Sequence, residues 1–254
     1  KNQGGYEMRK ILVLMVTALL VVSFACQNTT DGDMESAQKI RKATVTYVMG
    51  NAYILRENDP GKTALKVNMQ LQPNDMVVTE SDGKVKIVIE EQGVIQIGQS
   101  SKVVMSSLLI NEEGGADQRL MVKAGKVVLG LKKLQKNSTF DVETPTAVAG
   151  VRGTSFMVSV EEEENNAFPF FVKVNPEKSL TTKVAVLAGA VEFADGDSSQ
   201  SHMIKDLKMA ILQGADFENV RIVPIERLYL NELQEIKGFA EIQKLKMDEI
   251  AEEI

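Results

Sequence analysis

The chain offers few side chains of the kinds that catalyse reactions or bind metal ions. Among its 254 residues Cys26 is the only cysteine and His202 the only histidine, and tryptophan is absent. This leaves no material for a Cys/His metal site, a histidine-based triad or a disulfide. His202 lies in a serine-rich polar link, which is typical of a surface histidine. We therefore predict no catalytic residues, no cofactor and no metal site.

Arg152 is the charged residue with the most unusual surroundings. It lies within residues 144–156, T-P-T-A-V-A-G-V-R-G-T-S-F, between two strand-like runs. If residues 154–160 form one alternating apolar face, period two turns Arg152 inward, unless Gly153 is a bulge that resets the register. A buried guanidinium needs a carboxylate or several carbonyl oxygens, and Asp141 and Glu143 are close in sequence. The alternative is that Arg152 lines a pocket and binds an anionic ligand or a partner's carboxylate.

Cys26 follows a segment that has the order of an export signal. Met8 to Lys10 form a short basic region, residues 11–22 form an apolar run of twelve residues that includes Thr17, and Ser23-Phe24-Ala25 precede the cysteine. An apolar run of this length is too short to favour a spanning helix, which needs about 20 residues. We predict that residues 8–25 are a lipoprotein signal peptide and that Cys26 accepts the lipid. The alternative is ordinary cleavage after Ala25.

Residues 1–7 put a polar, acidic stretch ahead of the basic region, so we interpret them as a non-native leader. Residues 26–42 are polar and have neither helical nor strand periodicity, which predicts a tether between a membrane and the folded part. Beyond residue 25 the chain has 26 Lys and Arg against 34 Asp and Glu. A surface of that acidity argues against nucleic acid as a partner.

From Ala43 onward, short strand-like runs alternate with turn signals. Period-two alternation is clear at Val85, Ile87 and Ile89. This pattern predicts a mainly β fold, a jelly-roll-like β-sandwich of short strands, with a β-solenoid as the alternative. We place the β domain at residues 43–194 and a β extension at residues 195–224.

Three segments share one arrangement around a glycine, at Gly50, Gly125 and Gly189. Each has apolar residues five and three positions before the glycine, and two and four positions after it. Because the interval across the glycine is odd, a continuous strand would send its two halves to opposite faces. A corner or bulge with positive φ at each glycine would restore one buried face.

Residues 225–254 lose the turn signals and are rich in Leu, Glu, Lys, Ile and Met, which predicts a C-terminal helix or two helices split at Gly238. Leu233, Ile236 and Ala240 begin an apolar stripe. Two interpretations remain open. The helix packs on its own domain, or it binds a partner.

The stretch at residues 144–156 resembles the signature of the FecR family, the extracytoplasmic domain first known from iron-siderophore signalling. Residues 43–193 follow the family's pattern, with V-x-G-x-A around Gly50, N-D-x-V-V-T at residues 74–79, A-G-K-V at residues 124–127 and A-G-A-V at residues 188–191. The resemblance also implies a sandwich fold. It assigns structural roles to Asp75, Thr79, Gly125, Thr144, Pro145, Arg152, Gly153, Thr154, Phe156 and Gly189. Because it couples the Asn74-Asp75 turn with the V-R-G-T corner, Asp75 becomes the preferred partner of Arg152.

The resemblance implies a non-enzymatic protein-binding or sensing module, here on a lipid tether in the envelope of a bacterium. The cysteine-preceding segment is similar to the relaxed lipoprotein signals of spirochaetes. We expect another envelope protein as partner, with the protein facing the periplasm or the cell surface. A sigma factor is not expected as partner, because only Met8 to Lys10 precede the apolar run. The alternatives are an envelope scaffold or adhesin that binds peptidoglycan or host ligands, and a carboxylate-dependent glycan hydrolase.

Overall fold

The computed structural model describes residues 39–56, 59–111, 114–163 and 179–238. The predicted leader, the signal peptide, Cys26 and most of the tether therefore lie outside the described residues, as does the part of the predicted C-terminal helix beyond residue 238. No helix within the described ranges is long and apolar enough to cross a membrane.

The described chain forms seventeen strands, a short 3₁₀ turn and a helical segment. The strands are β1 (Ala43–Met49), β2 (Ala52–Arg56), β3 (Asp59–Ala64), β4 (Gln70–Leu71), β5 (Met76–Thr79), β6 (Lys84–Ile89), β7 (Gly93–Ile97), β8 (Lys102–Ile110), β9 (Ala116–Leu131), β10 (Thr139–Glu143), β11 (Val148–Val151), β12 (Ser155–Glu163), β13 (Ser179–Ala188), β14 (Ala190–Ala194), β15 (Ser201–Lys205), β16 (Lys208–Gln213) and β17 (Arg221–Pro224). The 3₁₀ turn is Phe217–Asn219, and residues 227–238 form the helical segment α1.

The strands build two sheets that share β9. Sheet A has the order β3-β2-β5-β8-β9-β10-β11-β14-β15. Sheet B has the order β4-β1-β6-β7-β9-β12-β13-β16-β17. All pairs are antiparallel except β9 with β10. The prediction of a mainly β fold with a helix near the C terminus is confirmed, neither sheet closes within the described residues, and this order does not show a solenoid.

The main core lies between the two sheets. Sheet A contributes Val77, Phe140 and Phe193 to it, and sheet B contributes Ile87 and Phe156. Each of these side chains is at most 1% exposed. Burying one such side chain stabilises the fold by about 1.5–3 kcal/mol, so this interface is the main source of stability.

Gly50, Gly125 and Gly189 mark three of the places where the chain passes from one sheet to the other. Gly50 lies between β1 of sheet B and β2 of sheet A, Gly125 divides β9, and Gly189 separates β13 from β14. Their φ angles are +63°, +86° and +97°. At Gly125 and Gly189 the two halves of the chain contribute to the same core, as the odd interval predicts.

The pattern is incomplete at Gly50. Three residues before it, Tyr47 is 40% exposed instead of buried. The register of β1 against β6 shifts between Val45 and Tyr47, which turns Tyr47 outward. A bulge inside the strand therefore overrides the alternation.

A second, smaller core covers the outer face of sheet B. Alternate residues of its strands, Val128 and Met157 among them, point away from the main core and pack against Leu233 and Ile236 of α1. These central strands are therefore buried on both faces. The described part of the C-terminal helix packs on its own domain, which was one of the two interpretations left open.

Three ion pairs beside this second core join lysines of sheet B to glutamates of α1. Lys126 lies 2.6 Å from Glu232 between Nζ and Oε1. Lys86 and Lys84 lie 3.1 and 3.5 Å from Glu235. The pKa of Glu235 is lowered, first by its hydrogen bond from Lys86 and then by the charge of Lys84, against the opposing effect of partial burial.

Candidate functional site: a cleft on the outer face of sheet A

The outer face of sheet A is exposed to solvent, whereas the outer face of sheet B is covered by α1. Arg119 and Lys123 of β9 and Glu192 of β14 are exposed on it. Strand register puts Asp141 of β10 opposite Gly150 of β11, and Gly150 opposite Glu192. The three residues therefore form one row across three neighbouring strands.

A cleft of about 390 Å³ opens in this row. It exists because the central positions carry little or no side chain: Gly150 has none, and Ala190 occupies the next outward position of β14. The cleft is lined by Ser138, Thr139, Phe140, Asp141, Gly150, Val151, Arg152, Ala190, Glu192 and Met203. Its walls therefore carry two carboxylates and one guanidinium.

Gly150 is not required by the backbone or by packing. It is absent from the glycines with positive φ. A Cβ atom built on it would lie 3.5 Å from Asp141 Oδ1 and 3.9 Å from the backbone oxygen of Glu192, which are ordinary contacts. Glycine weakens a strand interior, so Gly150 makes the fold less stable than a residue with a side chain would at this position.

The carboxyl group of Asp141 is half-buried in the wall of the cleft. Partial burial raises its pKa, the charge of Arg119 opposes that rise, and Asp117 adds to it. Arg119 is itself engaged by Glu143, with 3.0 Å between Nε and Oε1. Within the described ranges the side chain of Asp141 has no hydrogen bond or ion pair, so its half-buried carboxylate is available to a ligand in the cleft.

The prediction that Arg152 turns inward and pairs with Asp75 is wrong. Arg152 is exposed and lies at one end of the cleft. The cause is Gly153, whose φ of +85° breaks the period between β11 and β12, and the register of β12 shifts again between Ser155 and Phe156. Gly153 is thus the bulge that the alternation argument allowed for. Arg152 is at a pocket, as the alternative interpretation expected.

Asp75 instead pairs with Arg56. Arg56 Nε donates to Asp75 Oδ1 over 2.9 Å, and a second nitrogen lies 3.4 Å from Oδ2. The backbone N–H of Gln72 also donates to Oδ2, over 3.0 Å. Asp75 is 2% exposed, so these three donors satisfy a buried carboxylate and hold the turn before β5.

Thr79 and Gly125 organise the corner in β9. The Thr79 hydroxyl donates to the carbonyl of Gly98 over 2.6 Å and accepts from the backbone N–H of Ser101 over 3.0 Å. Ser101 in turn packs against Gly125, where a Cβ atom would lie 2.5 Å from the Ser101 Cα. These residues have a structural role and do not line the cleft.

Thr144 and Pro145 lie in the hairpin turn between β10 and β11. This turn sets the register in which the two strands pair beside the cleft. The Thr144 hydroxyl donates to the carbonyl of Ala147 over 3.0 Å and accepts from its backbone N–H over 2.9 Å. Pro145 is exposed at the tip of the turn. The turn therefore fixes which residue of β11 faces Asp141.

Thr154, Phe156 and Gly189 hold the other end of β11. The Thr154 hydroxyl donates to the carbonyl of Ala190 over 3.0 Å, which ties the start of β12 to β14. Gly189 packs against that hydroxyl, and a Cβ atom there would lie 2.9 Å from it. Phe156 is fully buried in the main core. This corner thus positions Ala190 and Arg152 beside each other.

Other residues named from the sequence lie away from the cleft or outside the described residues. His202 stacks on Phe217 at 6.4 Å between ring centroids with an interplanar angle of 13°. Cys26 is outside the described residues. In the part of the chain that the structure describes, no three His, Cys, Asp or Glu side chains are grouped so that they could hold a metal ion.

Sequence reasoning missed the cleft itself. Asp141 entered only as an alternative partner for Arg152, and neither Gly150 nor Glu192 was assigned to a site. Alternation does place Asp141 and Gly150 at outward positions, which was the available signal. The neighbour on the other side of Gly150 depends on β11 pairing with β14, and no local pattern reveals that pairing.

Comparisons with known proteins agree with the resemblance seen in the sequence. The family model described as FecR protein matches residues 75–192, a little under half of the chain. That range contains Asp141, Gly150, Arg152 and Glu192, so all the charged residues of the cleft lie in the matched region. No curated protein matches the chain.

Two crystal structures of a candidate anti-sigma factor from Parabacteroides distasonis resemble the fold in part. Their TM-scores are 0.44 and 0.42, at 10% and 11% sequence identity. Each likeness covers 59% of this chain, and 60% and 58% of the respective structures, so the chain spans less than two thirds of their length. Nothing about function follows from likeness at this level, and the expectation that a sigma factor is not a partner has no support in these comparisons.

Proposed function

We propose that the protein is a non-catalytic binding module of the bacterial cell envelope, and that the outer face of sheet A is its binding surface. One observation carries the proposal. The helix α1 covers the outer face of sheet B, whereas the outer face of sheet A presents an open cleft with charged walls. The FecR match, which contains those charged residues, supports a sensing or regulatory module that acts by contact with another protein.

The membrane tether is part of the same proposal. It rests on Cys26, the only cysteine, directly after the apolar run at residues 11–22. A lipid chain gains about 0.8 kcal/mol per buried methylene, whereas an acidic chain has little electrostatic attraction to anionic membranes. Cys26→Ala should therefore move the protein from the membrane fraction to the soluble fraction. Retention of the variant in the detergent phase would show that the tether lies elsewhere.

Site-specific photo-crosslinking in native cells tests the binding surface. Met203, at the cleft, is 52% exposed, and Ile222, in sheet B, is 46% exposed, so a photoreactive residue at either position samples solvent equally. We expect one discrete protein adduct from position 203 and none from position 222. Equal adducts from both positions, or none from position 203, would contradict the proposal.

The same cells test the hydrolase hypothesis, which gains interest because Asp141 and Glu192 both line the cleft. Their Cα atoms are two strand spacings apart, about 10 Å. Glycan hydrolases use a carboxylate pair across the scissile bond. A release of muramyl products that requires Asp141 would replace the binding function with a catalytic one, whereas unchanged product levels in Asp141→Asn cells support a binding role.

A further inference from the structure

We infer that the cleft binds an extended segment of a partner protein through a basic side chain, with its cationic head over Gly150 between Asp141 and Glu192. The inference rests on the proposed function and names the chemistry that the binding surface recognises.

The two carboxylates lie on either side of the empty position in the cleft. Asp141 and Glu192 flank Gly150 on neighbouring strands, each about 4.8 Å away. A cation seated over Gly150 is therefore within reach of both side chains, whereas any larger residue at position 150 would occupy that space. In the described residues neither carboxylate has a hydrogen bond or ion pair of its own, so both are available to a ligand.

Two further basic residues, Arg119 and Lys205, lie near the acids without lining the cleft. Arg119 lies on the β9 side of Asp141, but its Nε is directed to Glu143. Lys205 pairs in register with Ala190, one row away from Glu192. Neither residue forms an ion pair with Asp141 or Glu192. The negative charges of these two acids are therefore not paired with a basic side chain of the described residues.

Arg152 distinguishes a peptide ligand from a simple cation. It follows β11 directly, two residues from Gly150 and on the same outward side. That spacing is about 7 Å, which is the repeat of alternate residues in an extended chain. A segment that places its basic residue over Gly150 would therefore present the residue two positions away to Arg152. An acidic residue there would complete a second ion pair.

The size of the cleft agrees with this occupant. A volume of 390 Å³ is at the small end of the range of about 300–1,000 Å³ for ligand sites. It suits one long side chain and a few backbone atoms. The methionine at position 203 and the methylene groups of the bound side chain would supply the apolar part of the contact.

Peptide titrations of the full chain, followed by amide NMR shifts, test the inference. The probes are acetyl-Gly-Lys-Gly-Glu-Gly-amide, its reversed-order form, and the same peptide with both charged residues replaced by glutamine. We expect shifts at Thr139, Gly150 and Glu192 with one of the charged peptides, and weaker binding as salt increases. The glutamine peptide should not bind.

Variants show which contact carries the binding. Glu192→Gln and Asp141→Asn should each weaken binding roughly three- to tenfold, as expected for single ion pairs, while Glu218→Gln, an exposed glutamate away from the cleft, should not change it. A fourth probe, acetyl-Gly-Lys-Gly-Gln-Gly-amide, keeps the lysine and lacks the acidic residue, and Arg152→Gln should abolish the preference for the doubly charged peptide over this probe. Equal binding of spermidine, with no effect of Arg152→Gln, would overturn the inference in favour of a simple cation trap.

The inference and the proposed function can fail separately. A protein adduct at position 203 without peptide shifts in the cleft would keep the binding function and overturn the basic-segment assignment. Peptide shifts in the cleft without any adduct in cells would support the recognition chemistry and overturn the envelope-partner function.

Discussion

Asp141 and Glu192 lie on opposite sides of strand β11, with only the hydrogen atoms of Gly150 between them. The two acids come from strands more than forty residues apart in the sequence, and the pairing of β11 with both β10 and β14 brings them into one row. A strand centre without a side chain, between two carboxylates that lack ion pairs, is an arrangement that stability alone does not explain.

Replacement of Asp141 by asparagine should raise the melting temperature at neutral pH. Burial raises the pKa of Asp141, so its ionised form destabilises the fold above that pKa, and the penalty is absent below the unfolded-state value of about 3.9. The gain from Asp141→Asn should therefore shrink as the pH falls toward 4 and vanish below it. Thermal melts between pH 3 and pH 8 measure this. A loss of stability at pH 7 would show that the carboxylate has a structural role.

Arg56 and Arg152 should differ sharply in their effects on stability. Arg56→Met removes two hydrogen bonds from the buried carboxylate of Asp75 and should cost about 1–2 kcal/mol, allowing for the partial exposure of Arg56. Arg152→Met removes an exposed side chain and should change stability by less than about 0.5 kcal/mol. Urea unfolding of both variants makes the comparison. A larger loss of stability for Arg152→Met than for Arg56→Met would support the pairing of Arg152 with Asp75 that was predicted from the sequence.

The sequence predicted what depends on periodicity along one segment. The odd interval across Gly125 and Gly189 implied a corner or bulge at each glycine, because only one buried face is compatible with those apolar positions, and the structure shows that the chain changes sheet at both. The orientation of Arg152 was missed because it depends on a single backbone angle at Gly153, and a one-residue slip inverts every side chain. Asp75 found its partner in Arg56, nineteen residues earlier, through a pairing of β2 with β5 that local patterns do not specify.

Alanine substitutions at Gly125 and Gly150 should separate a glycine required by geometry from one that keeps a cleft open. Gly125 has positive φ, which costs an alanine about 1–2 kcal/mol, and its Cβ would meet the Ser101 backbone at 2.5 Å. We expect a loss of more than about 2 kcal/mol. Gly150→Ala should be neutral or stabilising by up to about 1 kcal/mol. Equal losses in chemical denaturation would contradict this account of Gly150.

Two leucines of α1, Leu233 and Leu228, provide a matched test of helix packing. Leu233 is fully buried against sheet B, and Leu228 is 65% exposed. Leu233→Ala should destabilise the protein by about 2–5 kcal/mol, whereas Leu228→Ala should cost less than about 0.5 kcal/mol. Differential scanning calorimetry of both variants measures the difference. Similar melting temperatures would mean that the helix leaves the domain in solution and that the outer face of sheet B is also available to partners.

Photo-crosslinking from position 203 in a Gly150→Val background tests the central claim most directly. Valine suits a strand, and a Cβ atom at this position meets only ordinary contacts, so we expect the fold to be retained while the γ-methyl groups fill the space between Asp141 and Glu192. We expect the melting temperature to stay the same or rise, and the adduct seen with Gly150 to disappear. An adduct of undiminished yield from the stably folded Gly150→Val protein would contradict the claim that this cleft is where the partner binds.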